Sequence, residues 1–273
     1  MTSIEQSKLH FLVIASASRG ARYFVKKALR QGHDVTALCR AKSDASALER
    51  MKLILDETPL LEEGVDFNLK PGVLSASKKD ILQAETYRSL LGNDSSINRV
   101  CCFVGATTLR QMMSQRSQLY TRTVTALVEG MRNSRWVEFY YHGSSGIEGV
   151  PGKSIMKLPE NFFPRCILNL GLKIPAAKNC FESEAILANA QSEGLKFVVF
   201  RPAWLTSNPA KRSYGYCFDY TGVDNEQLPL RLTKTTISRE DVAEEILRVC
   251  LLPDSKRCNW HGHGVYLVDF KNS

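Results

Sequence analysis

No apolar run in this chain of 273 residues approaches the roughly 20 residues that a membrane-spanning helix needs. The first ten residues also lack the basic start and apolar centre of a secretory signal. Low-complexity tracts and internal repeats are absent as well. We therefore expect a globular protein of the cytoplasm that has no membrane as a partner.

The eight cysteines lack the spacing of a metal site or of a disulfide framework. No Cys-x-x-Cys pair occurs, and Cys258, which lies near His261 and His263, has no second cysteine close by. The sequence therefore predicts no metal site. Other cysteines lie in or beside apolar runs, where a thiol behaves as a small hydrophobic group: Cys101, Cys102, Cys166 and Cys250.

The net charge of +8 is not gathered into a basic tail or a patch interleaved with aromatic residues. Nucleic-acid binding usually requires such a concentration of charge. We therefore expect no nucleic acid as a partner. A cleft that binds a phosphorylated small molecule accounts equally well for part of the excess.

The most informative segment is a strand–turn–helix–strand unit near the start of the chain. An apolar run at 11–15 leads through small residues into an amphipathic helix at about 20–31, which Gly32 ends. A second apolar run follows at 34–39. This order is typical of the first βαβ unit of a dinucleotide-binding fold.

The turn of this unit lacks the three glycines that such turns normally carry, and holds Ala15, Ser18 and Ala21 instead. One glycine supplies a permissive backbone, one lets the pyrophosphate approach, and one lets the helix pack closely on the strand. Alanine and serine are the smallest replacements, and Ser18 can donate a hydrogen bond. Gly20 lies one place out of register and is expected to keep the turn flexible, and the N–H groups at the helix start still favour an anion. Two hypotheses remain: a retained but weakened nucleotide site, or a turn that binds nothing.

The rest of the chain alternates strands with helices, which predicts a doubly wound parallel sheet with right-handed crossovers. Between about 207 and 235 the sequence is irregular and rich in Tyr, Gly and Pro. The predicted strands are 11–15, 34–39, 65–69, 99–104, 136–141, 195–200 and 264–269, and the predicted helices are about 20–31, 45–55, 78–91, 119–133, 176–193 and 242–251.

Four segments share their order and spacing with a known family: residues 15–22 with 32–40, residues 143–146, residues 184–187 with 194–206, and residues 237–243. With them the chain resembles an atypical short-chain dehydrogenase/reductase of the NmrA-like NAD(P)-binding group. That group includes reductases, isomerases and redox-sensing regulators without activity. The resemblance is therefore more specific for the fold than for the activity.

The resemblance implies an α/β fold in one domain, residues 1–273: a Rossmann-type doubly wound parallel sheet with a small C-terminal substrate lobe. That lobe is expected at about 146–182 and 203–236. Arg40 ends the second strand, where NAD-selective enzymes carry an acidic residue and an arginine accommodates the 2′-phosphate of NADP(H). NADP(H) is the expected cofactor. The residues expected to bind it are Ala15, Ala17, Ser18, Arg19, Gly20, Arg40, Gly105 and Thr107.

The family's usual Tyr-x-x-x-Lys pair corresponds here to Ile174 and Lys178, so the tyrosine is missing. The resemblance makes Lys178 the expected general acid or the group that orients a substrate oxygen. Tyr141 or His142 is a possible substitute proton donor. Ser144 or Ser145 is the expected hydrogen-bond donor to a carbonyl oxygen.

These observations support three hypotheses. The first is an NADPH-dependent reductase of a hydrophobic carbonyl or enone in secondary-metabolite biosynthesis. The second is a non-redox isomerase, cyclase or dehydratase on the same scaffold. The third is a non-catalytic NAD(P)-sensing regulator. All three take a small molecule as the partner, and the sequence indicates no oligomeric state.

Overall fold

The computed structural model describes residues 8–60, 71–105, 118–143, 175–202, 204–218 and 236–269. The strands are β1 (His10–Ile14), β2 (Asp34–Leu38), β3 (Leu74–Ser77), β4 (Arg99–Cys102), β5 (Glu138–His142), β6 (Phe197–Pro202), β7 (Trp204–Thr206), β8 (Tyr214–Phe218), β9 (Thr236–Ser238) and β10 (His263–Asp269). The helices are α1 (Ala21–Arg30), α2 (Asp44–Asp56), α3 (Ala84–Leu90), α4 (Leu119–Arg132), α5 (Pro175–Gln191), α6 (Arg239–Cys250) and α7 (Asp254–Arg257), followed by a 3₁₀ helix at Cys258–Trp260.

Eight of these strands form one sheet in the order β3-β2-β1-β4-β5-β6-β10-β8. Every neighbouring pair is parallel except β10 with β8. The strand order reverses between β1 and β4, and ligands of such folds bind outside the carboxyl ends of the strands at this place. The loops that follow β1, β2, β4 and β5 all leave the sheet at that edge. The expected α/β, doubly wound parallel fold is confirmed.

The sheet is covered by helices on both faces, so β1 has four buried residues in succession. On one face, the buried side chains of α1 and α6 pack against odd positions of β1, such as Phe11 and Val13. On the other, α3, α4 and α5 cover Leu12 and Ile14. The alternation of side chains along a strand thus divides the core into two clusters.

Several segments differ from the sequence-based expectation. The helix predicted at 78–91 is shorter and spans Ala84–Leu90, because Asp80 instead accepts from the Leu82 N–H in a turn, at 2.9 Å. The third strand of the described chain is Leu74–Ser77, whereas the predicted strand at 65–69 lies outside the described residues. A short run of small residues forms this edge strand because its backbone pairs with β2, with Val35 opposite Leu74. β8 forms in the segment expected to be irregular and closes the other edge of the sheet, antiparallel to β10.

A buried ion pair links α5 to β6 of the sheet. The Arg201 guanidinium, on β6, donates to both carboxylate oxygens of Glu184, at 3.3 and 2.5 Å. It also donates to the hydroxyl of Tyr266 at 3.2 Å, and both members of the pair are almost fully buried. Gly264 lets the guanidinium approach, because a Cβ there would stand 2.4 Å from its central carbon. Among the described residues, no helix has the length and apolar character to cross a membrane.

Candidate functional site

The turn after β1 keeps the backbone shape of a glycine turn although its first glycine is replaced. Ala15 has a φ of 57°, in the left-handed region that favours glycine. The Ser18 N–H donates to the Ala15 carbonyl at 2.9 Å, which closes the turn. Ser16, fully buried, donates from its N–H and its hydroxyl to the Leu38 carbonyl, at 3.1 and 2.9 Å. These hydrogen bonds hold the turn against the end of β2. They keep Ala15 in a left-handed backbone conformation that is unfavourable for alanine.

Replacement of Ala15 by glycine is expected to raise the free energy of unfolding by about 0.5–1 kcal/mol. A left-handed backbone costs a residue with a Cβ about 1–2 kcal/mol, and the greater entropy of glycine in the unfolded chain cancels part of this gain. Urea denaturation measures the change. The control is Ala21→Gly. Because Ala21 is helical and fully buried, glycine at this position is expected to lower the free energy of unfolding by about 1 kcal/mol. A destabilised Ala15→Gly protein would show that the turn does not carry this strain.

The start of α1 remains available to an anion. The Ser18 hydroxyl accepts from the Ala21 N–H at 3.3 Å, whereas the N–H groups of Ala17, Arg19 and Gly20 make no hydrogen bond to any other described residue. Gly20 has φ −80°, and a Cβ placed on it would stand 3.5 Å from the Phe103 ring. Neither the backbone nor the neighbouring protein atoms therefore require glycine at this position.

Arg40 lies where the sequence places it, two residues beyond β2 at the carboxyl edge of the sheet. Its side chain is exposed and has no ion pair or hydrogen bond with the described residues, while its carbonyl accepts from Arg50 at 2.6 Å. Arg19 is also exposed and without an ion pair in the part of the chain that the structure describes. The two guanidinium groups are free to bind an anionic ligand.

His142 ends β5 at the same edge, with its ring centre 5.7 Å from that of Phe103. Burial, and the positive charge of Arg239, lower the pKa of His142 to about 4. The imidazole is therefore neutral at pH 7. It can accept a proton or form a hydrogen bond, but it does not offer the proton of an imidazolium.

Tyr141, the preceding residue, is fully buried in the cluster beneath α4 and α5, where it stacks on Phe139. Burial, and then the neighbouring thiols of Cys180 and Cys102, raise its pKa well above the ordinary value. This phenol fills the core on the face opposite His142, since successive residues of a strand point to opposite sides. The position favours packing over contact with a substrate, and its catalytic role stays a prediction.

Lys178 lies in the first turns of α5, as expected, although its side chain is outside the described residues. Ser144 and Thr107 also lie outside them. The next residue on α5, Asn179, is buried and fixes the start of α4: its side-chain oxygen accepts from the N–H groups of Tyr120 and Thr121 at 2.9 and 3.2 Å. The backbone of Lys178 is thus held next to α4.

Tyr120 is a candidate that sequence analysis missed. Its hydroxyl stands 3.8 Å from the place that a Cβ on Gly105 would occupy, and Gly105 follows β4 at the carboxyl edge. Partly exposed on the first turn of α4, it brings a phenol to the same region as Lys178. The sequence carried no signal for it, because its position depends on packing between two helices, to which the Asn179 contact contributes.

Groups of three or more His, Cys, Asp or Glu residues placed to hold a metal ion do not occur within the described ranges. The polar groups at the carboxyl edge are instead backbone N–H groups, arginines, a neutral imidazole and a phenol. Such a set suits a phosphorylated organic ligand better than a metal.

No family model matches the sequence, and no curated protein matches it either. Solved structures do match. A short-chain dehydrogenase/reductase from Veillonella parvula, in complex with NADP, aligns with a TM-score of 0.60 at 15% identity over 97% of this chain and 96% of its own. A Rossmann-fold NAD(P)-binding family protein from Shigella flexneri aligns with a TM-score of 0.57 at 15% identity over 97% and 95%.

The chain has the fold of NAD(P)-binding Rossmann-type reductases. This confirms the expected resemblance to atypical short-chain dehydrogenase/reductases at the level of the fold. A third similar structure, the terminal R domain from the myxalamid PKS-NRPS biosynthetic pathway, aligns with a TM-score of 0.66 at 13% identity over 97% of this chain and 66% of that one. At these identities the likeness extends to the architecture, and the activity has to be argued from the site.

Proposed function

We propose that the protein is an NADPH-dependent reductase of a hydrophobic carbonyl or enone. The observation that carries the proposal is the turn after β1, in which Ala15 adopts the left-handed conformation of the missing glycine. Hydrogen bonds of Ser16 and Ser18 hold this shape, and it leaves the N–H groups of residues 17, 19 and 20 available to a phosphate at the start of α1. The reductase names of the similar structures, one of them holding NADP, support the same reading.

The residues at the carboxyl edge fit the proposed cofactor. The unbonded N–H groups of Arg19 and Gly20 would hold the pyrophosphate at the start of α1. Arg40 would contact the 2′-phosphate of the adenosine ribose. The bound cofactor would supply the hydride. Tyr120 and Lys178 would hydrogen-bond the substrate oxygen and provide its proton, while His142, neutral at pH 7, would orient the same oxygen.

Isothermal titration calorimetry with NADPH and NADH tests the cofactor assignment. We expect NADPH to bind more tightly than NADH, and a hydrophobic dicarbonyl such as phenanthrenequinone to cause loss of the nicotinamide absorbance. NADPH binding without turnover across a panel of aromatic ketones and enones would favour the sensor hypothesis. Absence of binding at millimolar cofactor would refute the reductase and the sensor together and leave a non-redox enzyme.

Replacement of Arg40 by aspartate is expected to weaken NADPH binding by on the order of tenfold to a hundredfold and to leave NADH binding nearly unchanged. A hydrogen bond to a charged group contributes about 1.5–3 kcal/mol, and the aspartate in addition repels the 2′-phosphate. Calorimetry with each cofactor measures both constants.

The matched control for this prediction is Lys52→Asp, which makes the same change in net charge at an exposed position in the middle of α2. We expect it to leave both dissociation constants close to those of the parent protein. An equal loss of NADPH and NADH binding in Arg40→Asp would show that Arg40 does not recognise the 2′-phosphate.

The substrate class is the less constrained part of the proposal. We propose a biosynthetic carbonyl, of aromatic or polyketide type, and a cytoplasmic location. The likeness to the R domain of the myxalamid pathway supports a biosynthetic substrate. Competition by aromatic and polyketide-like ketones in the phenanthrenequinone assay would identify the preferred skeleton.

A further inference from the structure

Three arginines lie where α1 and α6 begin. Arg19 lies in the turn, Arg22 in the first turn of α1, and Arg239 is the first residue of α6. The ammonium of Lys27 fixes the two helices together through Glu240, at 3.1 Å. Glu240 directly follows Arg239, so this contact holds the start of α6 against α1, and burial, together with the charges of Arg19 and Arg22, lowers the pKa of Arg239.

Arg239 also lies close to the end of β5. Its charge contributes to the lowered pKa of His142, and one of its amino groups donates to the Ser207 hydroxyl at 3.0 Å. Ser207 follows β7, and β7 begins two residues beyond the end of β6, so the guanidinium lies at the carboxyl edge of the sheet. In a dinucleotide that spans this edge, the pyrophosphate occupies the middle.

The acidic residues next to Arg239 bind other groups of the protein. Glu240 and Glu244 both bind Lys27, at 3.1 and 3.0 Å. Asp241 accepts from the Ser238 hydroxyl and from the backbone N–H groups of residues 211 and 212. Within the described part of the chain, none of the three arginines has a carboxylate partner.

Arg22 shows the same shortage of partners. Its Nε is buried and has no hydrogen-bond acceptor among the described residues, and its guanidinium lies 5.4 Å from the centre of the Tyr23 ring. A buried donor without an acceptor costs about 1–3 kcal/mol, and more when the group is charged. An anion supplied from solution would remove this cost.

The arrangement is electrostatically unfavourable for the protein alone. The amino ends of α1 and α6 each carry a partial positive charge. The three full positive charges there are not paired with a described carboxylate, since Glu240 and Asp241 in the first turn of α6 bind other groups. Like charges that lie at one helix junction repel each other, and exposure to water screens the repulsion only in part. A diphosphate group carries the opposite charge and accepts several forked hydrogen bonds from guanidinium groups.

We infer that Arg239, together with Arg22 and Arg19, binds the diphosphate of the dinucleotide from the side of α6 and replaces part of the binding lost with the glycines of the turn. This inference rests on the proposed function and assigns the diphosphate to α6 as well as to α1. Arg40 and Arg239 then have separate tasks: Arg40 contacts the 2′-phosphate of NADPH, and Arg239 contacts the group that NADPH and NADH share.

The test is calorimetry with the full chain and its Arg239→Gln variant, using ADP, 2′-AMP, NADPH and NADH as probes. We expect the variant to bind ADP, NADPH and NADH about tenfold more weakly, by the same factor for each, and with a weaker dependence on salt. Binding of 2′-AMP, which has no diphosphate, should be unchanged. Arg239→Lys keeps the charge and should restore a large part of the affinity.

Arg248→Gln is the matched control, because Arg248 lies in the last turn of the same helix and is paired with Glu245. It should bind all four probes as the parent does, and circular dichroism checks that both variants are folded. Unchanged ADP binding in folded Arg239→Gln, or a parent protein that binds no ADP, would overturn the inference. ADP binding that depends on Arg239 in a protein that never oxidises NADPH would uphold the inference and refute only the proposed reductase.

Discussion

Replacement of Glu184 by alanine is expected to lower the free energy of unfolding by about 3–5 kcal/mol. The variant leaves the Arg201 guanidinium buried without its carboxylate, and Arg201 is only 2% exposed. Removal of one partner of a buried ion pair costs far more than the pair contributes, because the remaining charge has already lost its water and now also loses the carboxylate that balanced it. Urea denaturation measures the change.

Glu193→Ala is the matched control, since Glu193 follows the same helix and pairs with Arg132 at the surface. This exposed pair is screened by water, so we expect a loss of at most about 1 kcal/mol. A double variant, Glu184→Leu with Arg201→Met, removes both charges and should recover a large part of the stability lost in Glu184→Ala. Equal small losses for Glu184→Ala and Glu193→Ala would contradict the stabilising role of the buried pair.

This ion pair shows why the fold could be predicted from the sequence, whereas the contact that holds α5 on β6 could not. Glu184 and Arg201 both lie in segments that carry the family resemblance, but they are 17 residues apart and on different elements. A sequence pattern places each on its own helix or strand by local periodicity. Only the packing of α5 on β6 shows that the two charges meet, and that Gly264 is needed to make room for them.

Prediction of strands was most accurate where both faces are buried. The continuous apolar runs of β1, β4 and β6 are unmistakable, because a strand covered by helices on both sides needs apolar residues throughout. β3 and β8 lie at the two edges of the sheet, where partial exposure relaxes that demand. Leu74–Ser77, with two serines and one alanine, has no such pattern and becomes a strand through its pairing with β2.

At the candidate site, sequence analysis predicted positions along the chain better than directions of side chains. Tyr141 and His142 are adjacent, and as neighbours in a strand they point to opposite faces. Both were considered as proton donors, although one is in the core and the other, with its pKa near 4, is neutral. The place of Tyr120 in the candidate site depends on the contact of α4 with Asn179, which local sequence patterns do not show. The proposed role of Arg239 likewise depends on the packing of α6 on α1, which no local sequence pattern specifies.

Replacement of Lys178 by methionine is expected to lower the turnover number of the proposed reductase by on the order of a hundredfold, or about 2.7 kcal/mol of transition-state free energy. Reduction of a carbonyl transfers a hydride from NADPH to carbon, and the oxygen that becomes negative takes a proton. Methionine has nearly the length of lysine but neither a proton nor a charge to offer. Loss of the nicotinamide absorbance with phenanthrenequinone measures the rate.

The pattern of the kinetic constants distinguishes the possible tasks of this lysine. If Lys178 acts on the substrate oxygen, the turnover number falls while the dissociation constant for NADPH, measured by calorimetry, stays the same. If it holds the ribose of the cofactor, the dissociation constant rises as well. Lys196→Met, an exposed lysine just before β6 at the amino edge of the sheet, is the control and should react at the parent rate. An unchanged rate in Lys178→Met would remove this lysine from the reaction and leave Tyr120 as the proton donor to examine next.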